Sequence, residues 1–356
     1  MVAAAKYASR LFTSRPFFLS RSSSSSPILK YPHKSTMMTS SAATAPETAA
    51  ERAAEAEVET KAKVNYKIIQ DSGNFRETEA ARPDFDHSAS ITVTKSPFPE
   101  WSYGQGVPST APKSDSTNTN TNNPPTGPTH HEIDPYAETR PTVNNYRLLV
   151  SGIAPRPIGF ISSVSADGKT ENLAPFSYFQ VIDHDPPMFI LGFSSRPGVE
   201  KDTFRNLKET GECVINTVSE NMIEAVNATS IDAPYGISEW EISGLTKAAS
   251  TTVRPARVQE SVFSVEGVVV DVKEFEAHSA GMSGAGVVLV KATRFWVQEG
   301  AVDEELKDIN LEKLRPVAQL GGISYGRISS VFERPRKRWE GEVGKSELLA
   351  GLEKKS

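Results

Sequence analysis

Between residues 158 and 298, five apolar runs of strand length are separated by turn residues, and helical patterns do not alternate strictly with them. The runs cover 158–164, 188–193, 212–217, 262–272 and 286–298, and all are rich in β-branched residues. A doubly wound parallel sheet needs a helix between successive strands. This pattern instead favours a mainly β chain with peripheral helices (α+β), a barrel or sandwich. Three stretches read as helices. Residues 202–210 carry Phe204 and Leu207 at i, i+3, with Gly211 as a stop. Residues 221–228 and 304–314 are the others.

What surrounds these runs has a different texture. Residues 1–46 hold Lys6, Arg10, Arg15, Arg21, Lys30 and Lys34, a serine run from Ser22 to Ser26, and no acidic residue before Glu47. That composition reads as an organellar transit peptide, here a mitochondrial address. Initiation at Met37 or Met38 would remove most of it and leave a cytoplasmic form. Residues 47–106 form an N-terminal arm, with an Ala/Glu-rich helical stretch at 47–63, a strand near Ile91 to Thr94 and the Pro97-Phe98-Pro99 segment. Residues 107–138 form a linker in which 117–123 are almost pure Asn and Thr, too polar to bury a core. The domain proper occupies 139–335, long enough for a sizeable core. Residues 336–356 read as a charged, solvated tail.

Several function classes lose support. A net charge of −5 does not recommend nucleic-acid binding. No run of 18 apolar residues exists to span a membrane. The single cysteine, Cys213, cannot form an intrachain disulfide and reads as a small strand residue. The histidines are scattered, without metal-ligand spacing, so no metal site is expected. His184 and His278 read as loop residues rather than acid or base. Gly281 to Gly286 precedes a strand and lacks the order of a dinucleotide fingerprint.

Three segments could carry chemistry. The first runs from Arg156 through Ser162 and Ser163, turns at Asp167-Gly168, and continues through Asn172, Ala174, Phe176, Ser177, Tyr178 and Phe179. Its hydroxyls and rings would suit a flat polar ligand, and an ordinary hairpin explains it equally well. The second places Ser194, Ser195, Arg196, Lys201 and Thr203 at the expected helix start, where free N–H groups, a guanidinium and an ammonium favour a phosphomonoester. Its plain alternative is a helix capped by Asp202 or Ser195 with solvated cations. The third is Gly321-Gly322-Ile323-Ser324-Tyr325, a close-approach turn bearing a ring, or simply a turn.

Taken together, RPIGFISSVSADGKTENLAPFSYF, PPMFILGFSSRPGVEKDTFRNLKETGECVIN and LGGISY, in this order over about 175 residues, resemble the flavin-reductase-like, FMN-binding split-barrel family. The arm around 83–106 looks like that of some eukaryotic members. The resemblance implies a six-stranded antiparallel Greek-key barrel and a homodimer with FMN at the subunit boundary. By position, Ser162, Ser163, Asn172, Ala174, Ser177, Arg196, Lys201 and Thr203 match the flavin-contacting segments. Of these, Lys201, Thr203, Arg196 and the serines would hold phosphate. Tyr325 would approach the ring. The implied activity is an oxidoreductase of the flavin reductase type, with hydride passing from NAD(P)H to flavin. The alternative is an FMN-binding electron-transfer protein with no NAD(P)H activity of its own. One departure bears on that choice. Many reductases of the family carry Gly-Asp-His before the strand that here begins at Gly286, and this chain has Gly281-Met282-Ser283.

Overall fold

A computed structural model of the chain describes residues 75–108, 130–195, 199–278 and 284–355. The expected transit peptide, the 47–63 helix, most of the Asn/Thr linker, Arg196 and Gly281–Ser283 lie outside the described residues. The strands are β1 (Thr92–Thr94), β2 (Gly159–Val164), β3 (Glu171–Phe176), β4 (Phe179–His184), β5 (Pro187–Ser194), β6 (Glu212–Asn216), β7 (Lys247–Ala248), β8 (Arg257–Val258), β9 (Phe263–Phe275), β10 (Ala285–Val297), β11 (Val317–Gln319), β12 (Tyr325–Arg327) and β13 (Ser330–Phe332). The helices that matter here are α1 (Thr142–Gly152), α2 (Asp202–Thr210), α3 (Ile223–Ala228), α4 (Glu239–Ser243) and α5 (Leu311–Leu314).

One sheet organises the domain. Its order is β3-β2-β6-β9-β10-β5-β4, and every neighbouring pair is antiparallel. The two strands at the ends of that row, β3 and β4, are consecutive in the chain and are joined by Ser177 and Tyr178 alone. A two-residue link between opposite edges requires the sheet to curl on itself, giving a split barrel. The Gly192 N–H donates to the Tyr178 carbonyl at 2.7 Å and ties the link onto β5. The sheet has seven strands rather than six. Two of the seven, β3 and β4, lie outside the five apolar runs, because the proline, asparagine and serine of the Asn172–Phe179 segment mask strands on either side of a corner.

Side-chain alternation divides the barrel's residues between two cores. On β2, Ile161 joins Phe189, Leu191, Phe193, Val265, Val288 and Val290 in the first core, together with Phe204 and Leu207 of α2. Phe160, one residue earlier, joins Leu173, Val226, Trp240 and Val258 in the second. Helix α2 has the expected bounds, and it ends at Gly211, whose φ of 72° lets its N–H reach the Leu207 carbonyl at 3.1 Å. Gly286 permits the docking of α2, because a Cβ there would fall 2.3 Å from the Phe204 ring. Cys213 is a fully buried strand residue in the first core, and burial pushes its thiol up to about 12.

Two expectations for local structure do not hold. The 304–314 helix shrinks to α5, because the Asp303 carboxylate accepts the Lys307 N–H at 2.8 Å and the Asp308 N–H at 3.2 Å, closing a turn instead. The 336–356 segment is not a bare solvated tail. It forms short helices at Trp339–Glu342 and Glu347–Glu353, and Leu349 is buried. The arm runs along this end of the molecule. Its β1 pairs in parallel with β13, and the Tyr103 hydroxyl donates to Glu342 at 3.3 Å.

Candidate functional site

The corner between β3 and β4 opens into a cleft of about 700 Å³, within the range typical of small-molecule sites. One wall is the corner itself, Pro175 to Tyr178, with Gly192 beside it. Gly192 keeps this wall thin, since a Cβ there would lie 3.0 Å from that of Tyr178. Ser194 and Ser195, at the end of β5, and Lys201, just before α2, form a hydroxyl and ammonium rim. Tyr146 and Val150 of α1 contribute, as do Asn227 and Ser230 at the end of α3. Gly321, Gly322, Ile323 and Tyr325 close the remaining side, and the Tyr325 hydroxyl donates to Asn227 Oδ1 at 3.2 Å. Burial raises the Tyr325 and Tyr178 phenols above their ordinary value.

A backbone bridge ties the distant C-terminal wall to the segment before β2. Arg156 and Gln319 exchange N–H···O bonds of 3.0 Å in each direction. Pro157 restricts Arg156 to an extended backbone, which suits it to such a bridge. The Arg156 side chain then reaches into the space between three segments. It is only 6% exposed and lines the cleft. Nε donates to Ser177 Oγ at 3.3 Å, one terminal nitrogen to the carbonyls of Val150 and Ile153 (2.7 Å to the latter), and the other to Gly321 O at 3.1 Å. All four acceptors are neutral. Among the described residues, no aspartate or glutamate lines this cleft.

A second cavity of about 200 Å³ shares Pro175, Phe176, Lys201 and Ser230 with the first and has the opposite character. Glu200, Asp202, Asp232 and Glu239 line it. Burial raises the carboxyls of Asp202 and Glu239 above the usual carboxylate range. Beneath it lies a closed hydrogen-bond network. Asn172 Oδ1 accepts from Thr203 Oγ1 at 2.6 Å and Ser163 Oγ at 3.1 Å. Its Nδ2 donates to Glu239 Oε2 at 3.0 Å, which also accepts the Leu173 N–H at 3.1 Å. Asn206 Nδ2 donates to Ser163 Oγ at 3.0 Å.

The residues singled out from the sequence therefore separate into groups. Ala174, Ser177, Lys201 and Tyr325 line one or both cavities. Asn172 and Thr203 line the smaller cavity, but their polar atoms bond to one another. Ser163 lies underneath as part of the network. Ser162 is not brought to either cavity. Alternation turns it to the face of Phe160, where its hydroxyl donates to the Ala256 carbonyl at 2.5 Å. Arg196 lies outside the described residues. Helix α2 has no side-chain cap: Lys201 occupies the N-cap position, and neither Asp202 nor Ser195 fills that role. Sequence reasoning missed Arg156, Gly192, Tyr146 and Asn227 as wall residues. Arg156 opens the Arg-Pro-Ile-Gly-Phe segment, but nothing in a linear pattern says that a guanidinium will be buried among carbonyls.

Comparisons with known proteins converge on one family. The model of the flavin reductase like domain matches residues 151–315. A protein of Aquifex aeolicus, itself uncharacterized, is 35% identical over 182 residues, 51% of this chain and 88% of its own. The crystal structure of nitrilotriacetate monooxygenase component B from Bacillus cereus superimposes with a TM-score of 0.54 at 29% identity, covering 58% of this chain and all of that one. A split-barrel protein from Shewanella frigidimarina assigned as a flavin reductase shares the fold, with a TM-score of 0.50 at 22% identity, covering 59% of this chain and all of its own.

Proposed function

The chain belongs to the flavin reductase-like family, and on that premise we propose that it binds FMN in the 700 Å³ cleft and catalyses hydride transfer from NAD(P)H to flavin. The observation that carries this reading is the charge of the wall. Two cations, Arg156 and Lys201, stand among hydroxyls and aromatic rings, with no carboxylate in the lining among the described residues. That donor set fits a phosphorylated, flat, hydrogen-bonding group and disfavours a cation. The neighbouring acidic cavity fits neither a phosphate nor a reduced flavin.

Bound FMN supplies the two-electron redox chemistry at its ring. The chain's own residues orient and hold it. Lys201, with Ser194 and Ser195, would neutralise the phosphate, and Arg196 would add a bidentate fork. The Ala174–Ser177 segment and Tyr325 would flank the ribityl chain and ring. Tyr146 of α1 lines the cleft and is 48% exposed, and the nearby Leu149 and Ile153 are 58% and 65% exposed. A second copy of the chain covering them would exclude water, in keeping with a homodimer. Residues 1–46 would direct the protein to mitochondria.

The departure at Gly281-Met282-Ser283 favours a second reading, an FMN-binding electron-transfer protein that does not itself oxidise NAD(P)H. One experiment separates the two. The purified protein is mixed with FMN and titrated anaerobically with NADH or NADPH while the flavin band is monitored. Bleaching supports the reductase, whereas binding without bleaching supports the carrier. Failure to bind FMN removes both.

A further inference from the structure

We infer that Arg156 sets the reduction potential of the flavin held in this cleft by presenting an uncompensated positive charge to the reduced ring. This rests on the FMN reading above. Lys201 stands with serine hydroxyls and the start of α2, a phosphate-like grouping. Arg156 instead stands with the aromatic and glycine wall: its side chain bonds Ser177 and Gly321, and it lines the cleft together with Tyr178 and Tyr325.

The chemistry that would use such a charge is specific. In hydride transfer, the C–H bond of the dihydronicotinamide breaks and an N–H bond forms on the flavin. The donor is oxidised to the pyridinium, and the ring gains two electrons and one proton. The product ring carries a net negative charge that the oxidised ring lacks. A guanidinium already desolvated and fixed by four neutral acceptors needs no reorganisation to meet that charge. Because those acceptors are carbonyls and a hydroxyl, none carries the formal negative charge that would neutralise it. Arg156 therefore favours the reduced form of the flavin over the oxidised one. A purely structural role, stapling α1 to the Gly321 turn, would treat both forms alike.

The test uses the full chain loaded with FMN. Wild type, Arg156→Lys and Arg156→Gln are titrated with oxidised FMN and with dithionite-reduced FMN, and the potential of each complex is measured against a reference dye. Arg156→Gln is expected to lose at least tenfold more affinity for reduced than for oxidised FMN, which lowers the two-electron potential by about 30 mV per tenfold. Arg156→Lys, which keeps the charge, recovers most of that shift. Equal losses for both redox forms, or an unchanged potential, overturn the inference. A wild-type protein that binds no FMN overturns the underlying reading instead.

Should Arg156→Gln fail to fold, the wild type can still refute the role, and the potential of Arg156→Lys against Lys201→Ala assigns the charge to one cation or the other. A charged cleft predicts a potential that falls by about 30 mV per pH unit in mildly acidic buffer, one proton for two electrons. A slope of about 60 mV, two protons for two electrons, means a neutral reduced ring and refutes the role.

Discussion

Lys201 and Thr203 stand two residues apart, and the sequence pairs them as phosphate ligands, yet the structure gives them different surroundings. Lys201 is exposed and lines both cavities. Thr203 is 1% exposed, and its hydroxyl donates to Asn172 Oδ1 at 2.6 Å. The two should therefore fail in opposite ways. Lys201→Ala removes a charge-assisted contact worth about 1.5–3 kcal/mol, which corresponds to roughly a 10- to 150-fold rise in the FMN Kd. As an exposed substitution it should change stability by no more than about 0.5 kcal/mol. Thr203→Val keeps the shape and deletes the donor. The cost is about 1 kcal/mol for the bond alone and up to about 3 kcal/mol if Asn172 is left short of partners. For a domain of this size that lowers Tm by about 2–12 °C. FMN affinity should fall by much less than in the lysine variant. Fluorescence titration of FMN and thermal melts of the apoprotein give both numbers for each variant. If Thr203→Val lost as much affinity as Lys201→Ala while its Tm stayed put, the hydroxyl would be a direct phosphate ligand, and the network described here would not be what holds it.

Three further outcomes follow from the same structure. Burial raises the Glu239 carboxyl above its ordinary value of 4.5, so its contribution to stability is full below that value and is lost as pH rises through the folded-state value. Glu239→Gln should accordingly flatten the decline of Tm with rising pH in that window, though not abolish it, because Asp202 shifts the same way; an unchanged Tm–pH slope would count against a desolvated Glu239. Gly286→Ala drives a methyl to within 2.3 Å of the Phe204 ring, an overpacking that should cost about 1–3 kcal/mol in denaturant unfolding. Deleting residues 1–46 should leave flavin binding intact and abolish mitochondrial import of a fluorescent fusion, and continued import would show that the address lies elsewhere.

The barrel was legible where side-chain periodicity was clean. The β5, β6, β9 and β10 runs and helix α2 all announce themselves through apolar spacing, and Gly211 marks the end of α2. Strands β3 and β4 did not, because Asn172, Pro175 and Gln180 break the pattern where the chain turns from one sheet edge to the other. The expected helix at 304–314 failed for a local reason: Asp303 satisfies backbone donors that a helix would need. The cleft was legible only in part. Lys201, Ala174, Ser177 and Tyr325 lie in motifs whose residue types suggest a ligand, and the fold does bring them to its walls. Ser162 and Ser163 are adjacent hydroxyls in the sequence, and only the pleat of β2 reveals that they face different cores.

The deepest gap between sequence and site concerns charge. Read linearly, Glu200-Lys201-Asp202-Thr203 mixes both signs, and only its place at a helix start beside Arg196 tilts the reading toward an anion. In the fold, Lys201 is shared between two adjoining cavities, while Glu200 and Asp202 line only the smaller one, with Asp232 and Glu239. Meanwhile the bridge at Gln319 helps carry the Gly321 carbonyl to Arg156, more than 160 residues away in sequence. The result is a larger cleft whose charged lining among the described residues is Arg156 and Lys201, beside a smaller one where burial raises the Asp202 and Glu239 carboxyls. Charge separation of this kind is a property of the barrel's corner, where opposite sheet edges meet, and no arrangement of the same motifs along an open sheet would produce it. Binding selectivity should follow that geometry: substituting Gln for Glu200 or Asp232 at the smaller cavity should leave FMN affinity nearly unchanged, while a carboxylate introduced at Ser195 of the larger cleft should weaken it sharply.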